Sequence, residues 1–377
     1  MLNVFRDLYD WAPLGIPAFI FVITLVVFFH ELGHFLVARA CGVAIETFSI
    51  GFGGELFGWT DSKGTRWKIC WLPLGGYVKF LGDENAASMP SMARLEKLSM
   101  TEQGNAFPLK PIWQRILVVA AGPVANFVLA FVLFVILFSA VGAKTVSTYI
   151  GAVQKNSPAA EAGLRPGDKI TAVEGKPVRL FKPELQGLIL ASKGRTLTLA
   201  VDRRGQHLLL RVTPRTIATT DIFGGKLKVM AIGILPADAT SENTVYLPVS
   251  LVEAPRIAAA QCWGIVDLSF TYLWRIVSHH ADATQLGGPI GMAQMAKSAA
   301  SHGFYDLIYL VAFISVSIGM INLFPIPLLD GGWLLYYARE GVLGKPLSER
   351  TQDVGFRLGL ALVIGLMIFA TWNDLVR

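Results

Sequence analysis

A metal-binding pattern lies inside a segment that is otherwise apolar enough to cross a membrane. His30, Glu31 and His34 form the string H-E-L-G-H, and the preceding run from Leu14 to Phe29 carries no charge. An ionisable side chain at membrane depth costs ~2.5–3.5 kcal/mol on insertion scales, so such residues mark functional sites by default. A fold for this chain therefore has to bring three polar side chains together within an apolar helix.

The spacing of the pattern predicts one metal ion held by both histidines. Side chains four residues apart lie on the same face of a helix, one turn above each other. The imidazoles of His30 and His34 can then bind a common metal, while Glu31 reaches a water molecule on that metal. The alternative is a chance H-E-x-x-H, which the membrane setting disfavours because three buried polar groups without a metal are hard to satisfy.

The composition is that of a polytopic membrane protein. The chain has 377 residues, of which 53% are hydrophobic and 16% charged, whereas soluble domains carry about 25% charged residues. A helix needs about 20 apolar residues to cross a hydrocarbon core of ~30 Å. Four segments satisfy this length, at residues 14–38, 113–141, 305–325 and 354–372. Basic residues near these segments explain the net charge of +6 better than nucleic-acid binding does.

The distribution of lysine and arginine predicts the orientation in the membrane. Positive charge concentrates in residues 39–112 and in the loop after the third segment, while the N-terminus holds only Arg6 and the C-terminus only Arg377. Because short basic loops stay in the cytoplasm, both termini are expected outside. This orientation places the H-E-x-x-H pattern near the cytoplasmic end of the first segment.

A compact α/β domain is predicted at residues 147–237, on the outer side. Ser157 and Pro158 mark a helix start and Gly163 its end. Strands are predicted at 169–173, 196–201 and 207–212, and a helix at 183–192. The string S-P-A-A-E-A-G-L-R-P-G-D, which begins at Ser157, resembles PDZ domains of bacterial envelope proteases. Such domains bind extended peptides by strand addition. The alternative is a small β-rich domain that only spaces the membrane helices.

Residues 245–304 are predicted to be a linker with an amphipathic helix at 263–277. Two charged residues interrupt the apolar run, which favours a helix lying on the outer membrane surface. The alternative is a fifth span, which would invert the topology of everything after it. His279 and His280 stand in tandem, but nothing nearby completes a metal site, so a solvated helix end is expected.

A second polar cluster at the same membrane depth supplies a third metal ligand. Residues 322–332 have the sequence N-L-F-P-I-P-L-L-D-G-G, and prolines two apart cannot lie in a regular helix. Unwound backbone at this depth is tolerated only where protein buries it or where it lines a wet cavity. Hydrolytic zinc sites use three protein ligands and one open position, and Asp330 is a natural third ligand beside His30 and His34. The alternative is that Asp330 only caps the next helix.

These motifs together resemble the site-2 protease family of intramembrane zinc metalloproteases, of the RseP type. The resemblance rests on H-E-x-x-H in the first segment, N-x-x-P-x-P-x-x-D-G in the third, and the PDZ-like domain between the second and third. The stretch A-A-G-P-V-A-N-F at 120–127 is also similar to that family. The stretch G-G-Y-V-K at 75–79 resembles its membrane-associated β element.

The resemblance implies a polytopic α-helical membrane protein with four transmembrane helices, an inserted PDZ-like α/β domain and a membrane-associated β-hairpin loop. Residues 1–141 would hold helices one and two with the zinc motif and the β-loop. Residues 147–237 would be the PDZ-like domain and 245–304 the linker. Residues 305–377 would hold helices three and four with the third metal ligand.

The resemblance also implies an activity. Members of the family cut transmembrane segments of other membrane proteins, such as anti-sigma factors or signal-peptide remnants, usually after an earlier cut has trimmed the substrate. His30, His34 and Asp330 correspond to Zn²⁺ ligands, Glu31 to the general base, and Asn322 to a residue beside the scissile carbonyl. The implied location is the bacterial inner membrane, with the active site near the cytoplasmic face. The PDZ-like domain would be periplasmic and would bind peptide termini.

Two departures from the family and two competing functions are weighed against this prediction. Some relatives carry two PDZ domains, whereas one is visible here, and Trp333 stands where many have histidine; we do not expect Trp333 to touch the metal. A metal or proton transporter with a broken helix would predict inverted repeats, which the helix pairs do not obviously show. An inactive PDZ scaffold would need neither Glu31 nor the metal ligands.

Overall fold

The chain folds into two compact units in a computed structural model. The structure describes residues 2–83, 92–220, 226–237, 243–278 and 287–376. The first unit comprises residues 1–136, 255–271 and 284–377, and the second comprises residues 137–254 and 272–283. The tandem His279 and His280 lie outside the described residues.

The chain contains runs of helices and runs of strands. The helices are α1 (Leu2–Ala40), α2 (Met92–Leu95), α3 (Met100–Asn105), α4 (Ile112–Ala140), α5 (Pro158–Glu161), α6 (Gln186–Ala191), α7 (Ala254–Val277), α8 (Pro289–His302), α9 (Phe304–Asn322), α10 (Asp330–Leu343) and α11 (Glu349–Val376). The strands are β1 (Ile45–Thr60), β2 (Arg66–Phe80), β3 (Ala143–Val146), β4 (Ile150–Val153), β5 (Lys169–Val173), β6 (Lys176–Pro177), β7 (Leu197–Arg203), β8 (Gln206–Val212), β9 (Arg215–Thr220), β10 (Lys226–Ala231), β11 (Ile234–Pro236) and β12 (Thr244–Leu247).

Four helices among the described residues are long and apolar enough to cross a membrane. They lie at Ala12–Ala40, Ile112–Ala140, Phe304–Asn322 and Arg350–Val376, where the sequence predicted apolar spans. The third ends at Asn322, three residues before the predicted boundary of 325. Pro325 and Pro327 lack the backbone donors that a further helical turn would need, which explains the earlier end.

The first two strands form a bent sheet that packs on α1. Residues 45–50 of β1 pair with 76–80 of β2 on one side and with 66–69 on the other, and 55–60 extend the sheet further. Its apolar face is aromatic. Phe48 stacks on Trp67 with ring centroids 4.4 Å apart and meets Phe35 of α1 edge-on at 5.5 Å. The sheet therefore has a fixed place against the helix that carries the metal-binding pattern.

Helix α8 was not predicted from the sequence. It packs on α1 and α9, where Ala296 joins a buried cluster with Val22 of α1 and Val311 of α9. The carboxylate of Asp374 in α11 accepts the backbone N–H groups of residues 288 and 291 at 2.8–3.0 Å. Small residues dominate α8, so its apolar periodicity is weak, although Pro289 at its start was a usable sign.

Helix α7 is longer than the predicted 263–277, because it begins at Ala254. It is not among the candidate spans found in the described part of the chain. In its first half, Gln261 donates a hydrogen bond to Tyr309 of α9 at 2.7 Å. The amphipathic helix predicted at 263–277 lies within α7, and its position on the membrane surface stays a prediction.

The second unit holds the predicted α/β elements. The sheet has the strand order β6-β5-β7-β8, and β5 lies at the predicted residues 169–173. Ser157 caps α5 by accepting the N–H of Ala160 at 3.3 Å, with Pro158 as the first helical residue. The core includes Ile150, Ile170, Leu185, Leu199 and Val201. The predicted helix at 183–192 is present as α6, preceded by an irregular turn at 181–185.

Asp61 fastens the turn of the bent sheet to the end of α1. Its carboxylate accepts hydrogen bonds from Arg39 at 2.8 Å, from the Lys63 and Thr65 backbone at 2.9 and 3.0 Å, and from the Trp67 indole at 3.2 Å. Burial alone would raise the pKa of Asp61, but these donors lower it to about 2, from an ordinary value of about 3.9. The ionised form is therefore the one that holds the turn.

We expect Asp61→Asn to lower the free energy of unfolding by about 1.5–3 kcal/mol at pH 7, the range for hydrogen bonds to a charged group. Because the folded-state pKa is depressed, this stabilisation is present above pH ~4 and is lost as the pH falls toward 2. Unfolding of the detergent-solubilised protein at several pH values measures it. Asp353→Asn, which alters an exposed pair with Arg357, is the control and should change little. A difference that persists undiminished at pH 2 would contradict the assignment.

Candidate metal centre

The two histidines of α1 face each other one helical turn apart, as their spacing predicts. Their ring centroids are 4.8 Å apart and nearly perpendicular, at 83°. His30 Nε2 and His34 Nε2 approach to 3.2 Å, and both residues are buried. Each histidine therefore offers one nitrogen lone pair to the same point inside the first unit.

Asp330 reaches the same point from the start of α10. Its Oδ2 lies 3.1 Å from His30 Nε2 and its Oδ1 lies 3.6 Å from His34 Nε2. The alternative that Asp330 only caps the helix does not describe this side chain. Leu329 is the N-cap residue of α10, and no side-chain cap hydrogen bond is made there.

The three side chains fit a transition-metal ion of the zinc type. One ligand atom from each of His30, His34 and Asp330 lies within 4.8 Å of the other two, and two imidazoles with one carboxylate match a hydrolytic zinc site. Within the described residues, Asp330 Oδ2 is buried without a hydrogen-bond partner. Buried polar atoms are normally satisfied, so an orphaned carboxylate oxygen 3.1 Å from His30 Nε2 fits a site that holds a cation.

Helix α4 clears space for the imidazoles with a glycine. A methyl group at Gly122 would lie 2.2 Å from His34 Nε2 and 2.9 Å from His30 Cε1, and one at Gly33 of α1 would lie 2.3 Å from the Ala121 carbonyl oxygen. All three distances are shorter than real contacts of a methyl group, so the two helices approach this closely because both positions are glycine.

The second ring nitrogen of His34 is satisfied by the backbone of α4. His34 Nδ1 lies 2.8 Å from the Val118 carbonyl oxygen. A carbonyl can only accept, so Nδ1 carries the hydrogen and Nε2 keeps its lone pair. Metal-bound histidines commonly make such a bond, because it fixes the tautomer and the ring orientation.

Glu31 and Asn322 line one cavity with the three ligands. The cavity has a volume of about 330 Å³, and its walls include residues 75–78 of β2. A methyl group at Gly76 would lie 3.4 Å from Glu31 Cγ and 2.7 Å from the Ser49 carbonyl oxygen. The glycine thus lets a sheet strand pass directly over the carboxylate predicted to be the base.

Trp333 belongs to the wall of this cavity and not to the ligand set. It packs among apolar residues with Tyr337, at a ring distance of 6.2 Å. Sequence reasoning missed the roles of Gly122 and of the Val118 carbonyl. The available sign was a Gly-Pro pair inside an apolar span, since small residues in membrane helices mark close helix contacts.

Comparisons with known proteins agree on one family. The model of Peptidase family M50 matches residues 18–366. A protein of Agrobacterium fabrum that is provisionally named a zinc metalloprotease is 43% identical over 360 residues, which are 96% of this chain and 95% of that protein. Metalloprotease MmpA of Caulobacter vibrioides is 40% identical, covering 95% of this chain and 94% of that protein.

A solved structure is similar over a smaller region. The PDZ domain of an SdrC-like protein from Listeria innocua is 23% identical and covers 25% of this chain and 97% of its own, with a TM-score of 0.20.

We expect Gly122→Ala to prevent metal binding without unfolding the protein. The added methyl group would occupy the space of His34 Nε2, so one imidazole has to rotate away from the shared point. Zinc content of the purified protein measures the effect, and we expect at least a tenfold loss of affinity, as for other disruptions of a ligand's surroundings. Gly365→Ala is the matched control, because a methyl group there meets nothing within 4 Å. Equal zinc content in Gly122→Ala and the control would contradict the proposed packing.

Proposed function

The chain belongs to peptidase family M50, the site-2 protease family, and on this premise we propose that it is a zinc endopeptidase that cuts peptide bonds within transmembrane segments of other membrane proteins. Its family and its four apolar helices make it a membrane metalloprotease. The observation that carries the finer proposal is the position of the ligands. His30, His34 and Asp330 meet in a cavity lined by the apolar helices α1, α4 and α9 together with β2 and α10, with Glu31 in the same wall.

In the proposed reaction Glu31 is the proton carrier. His30, His34 and Asp330 would hold the zinc ion, which would lower the pKa of a water toward about 7 and polarise the scissile carbonyl. Glu31 accepts the proton of the attacking water and passes it to the leaving amide nitrogen. Asn322 lies in the same cavity wall, where its side-chain amide can donate a hydrogen bond to the scissile carbonyl oxygen.

A transmembrane substrate has to unwind before its peptide bond can be cut. Its carbonyl groups are hydrogen-bonded within the helix, and membrane interiors offer no water to replace those bonds. Residues 75–78 of β2 line the cavity beside Glu31, so extended substrate backbone can pair with a protein strand there. Cleavage after an earlier trimming cut fits this need, because a shortened substrate is easier to unwind at its end.

The second unit is proposed to select substrates rather than to act in the chemistry. Residues 147–237 are proposed to be a PDZ-like domain that binds peptide termini by strand addition. The basic loops support the proposal that this domain is on the periplasmic side of a bacterial inner membrane and that the metal site is near the cytoplasmic face. Substrates are then transmembrane proteins such as anti-sigma factors or signal-peptide remnants.

We expect Glu31→Gln to abolish cleavage of a membrane-spanning substrate while zinc remains bound. The base is lost but all three proposed ligands remain, and general acid–base contributions are about 10²–10⁴-fold. Cleavage is followed on a purified single-span substrate, and metal content is measured on the same samples. Normal turnover in Glu31→Gln would contradict the protease mechanism. Wild-type protein that binds zinc but cleaves nothing would favour the transporter or the scaffold.

Asp330→Ala is expected to reduce zinc occupancy and activity together. A site with only two histidines holds the ion weakly, because metal affinity depends on the number of deprotonated ligands. Zinc affinity is measured by competition with a chelator of known strength. Asp353→Ala, which removes an exposed carboxylate, is the matched control. Wild-type affinity in Asp330→Ala would show that the carboxylate is not a ligand.

Single cysteines introduced at exposed positions are expected to report opposite sides of the membrane. Lys176 lies in the second unit, and Lys345 follows α10; both are exposed. The experiment starts from a variant in which the three native cysteines, which are free thiols, are replaced. An impermeant maleimide should label Lys176→Cys on intact spheroplasts, and Lys345→Cys only after lysis. Labelling of Lys345→Cys before lysis would invert the proposed orientation.

A further inference from the structure

Asn126 of α4 lies against the second nitrogen of His30. Its side-chain amide nitrogen is 3.2 Å from His30 Nδ1, and the residue is fully buried, with 0% of its surface exposed. Among the described residues, Asn126 Oδ1 is buried without a hydrogen-bond partner. A buried amide that leaves its acceptor unsatisfied beside an imidazole is unusual, because such atoms nearly always find partners.

The chemistry of His30 decides which amide atom belongs beside its ring. His30 Nε2 faces Asp330 Oδ2 at 3.1 Å, so it needs a free lone pair to act as a ligand. The hydrogen of the neutral ring then sits on Nδ1, which becomes a donor and requires an acceptor. The amide nitrogen is also a donor, whereas Oδ1 is an acceptor. The two amide atoms exchange places by a half-turn of the amide group, and they have nearly the same shape.

From this geometry we propose that Asn126 is a positioning residue that accepts a hydrogen bond from His30 Nδ1–H through Oδ1. The bond satisfies the orphaned oxygen and fixes the tautomer in which Nε2 faces the metal. This inference rests on the proposed zinc site and adds to it the group that orients the first ligand. Side chains and carbonyls that hold metal-bound histidines in this way commonly tune metal affinity.

One face of helix α4 contacts both histidines, and we call this face the α4 stripe. Val118, Gly122 and Asn126 are spaced by four residues and lie on one face of the helix. The Val118 carbonyl holds His34, Gly122 makes room for both rings, and Asn126 holds His30. Neighbouring α9 fixes this stripe, because Ser315 Oγ donates to the Asn126 carbonyl oxygen at 2.8 Å. A methyl group at Gly319 would lie only 3.1 Å from Asn126 Cβ.

Two substitutions distinguish an Asn126 side chain that accepts a hydrogen bond from one that only fills space. Asn126→Leu keeps the branched shape, with a somewhat larger volume, and removes both polar atoms, so we expect zinc affinity to fall about 10–100-fold. Asn126→Asp keeps only acceptors, so we expect affinity within about threefold of wild type. Zinc dissociation constants are measured on the full-length protein by chelator competition. The visible spectrum of the cobalt-loaded protein gives a second readout, which should change in Asn126→Leu and stay unchanged in Asn126→Asp. Val128→Leu, on the exposed face of α4, is the control.

Each result supports or overturns the proposal. Equal affinities for Asn126→Leu and wild type would show that the side chain does not position His30. Equal losses in Asn126→Asp and Asn126→Leu would show that the amide acts as a donor or only packs. If Asn126→Leu does not fold, Asn126→Ser replaces it with the same expected loss, because its shorter side chain withdraws from His30. Failure of the zinc site itself is distinguished by the wild type, which would then bind no zinc that depends on His30 and His34.

Discussion

Buried polar side chains inside an apolar helix bundle need hydrogen-bond or metal partners. The helices of the first unit are arranged so that these partners are supplied. His30 and His34 are buried in α1, and Asp330 meets them from α10. In a medium without water each of these groups costs several kcal/mol unless it is paired. In the proposed site a shared metal ion would satisfy one side of the cluster. The other side depends on α4, whose Val118 carbonyl and Asn126 amide lie against the remaining ring nitrogens.

Close helix approach makes this arrangement possible, and it depends on positions where no side chain fits. Gly33 and Gly122 bring α1 and α4 together. A methyl group at Gly331 would lie 2.2 Å from the Phe324 carbonyl oxygen, and one at Gly332 would lie 2.5 Å from that of Ile326. The glycines after Asp330 therefore fold the start of α10 back onto the loop before it. In this membrane protein small residues let the helices pack closely, whereas in a soluble core large apolar side chains fill the space between elements.

The sequence was sufficient to predict which side chains meet at the candidate site, but not the groups that support them. His30, Glu31, His34 and Asp330 stand out because charged and polar residues are rare in apolar segments, and the helical period then relates the first three. Helix α8 and the role of Asn126 did not stand out. The small residues of α8 give little periodicity, and a single asparagine in an apolar span does not reveal its partner. The contact between Asn126 and His30 joins residues 96 positions apart, and only the packing of the helices shows it.

The loop that leads from α9 to Asp330 is confined from several sides. Leu328 has a φ of 101°, a conformation that costs about 1–3 kcal/mol for a residue other than glycine and persists only where neighbours enforce it. Gly331 and Gly332 confine the loop from α10. Helix α11 confines it further, since Gly359 passes so close to the Pro327 carbonyl that no side chain fits there. Helix α11 therefore supports the proposed metal site, although none of the three proposed ligands belongs to it. Because several neighbours hold this loop in one conformation, the Asp330 carboxylate needs little reorganisation to bind a metal. A binding site that is preformed in this way gains affinity, because less free energy is spent on ordering the ligand.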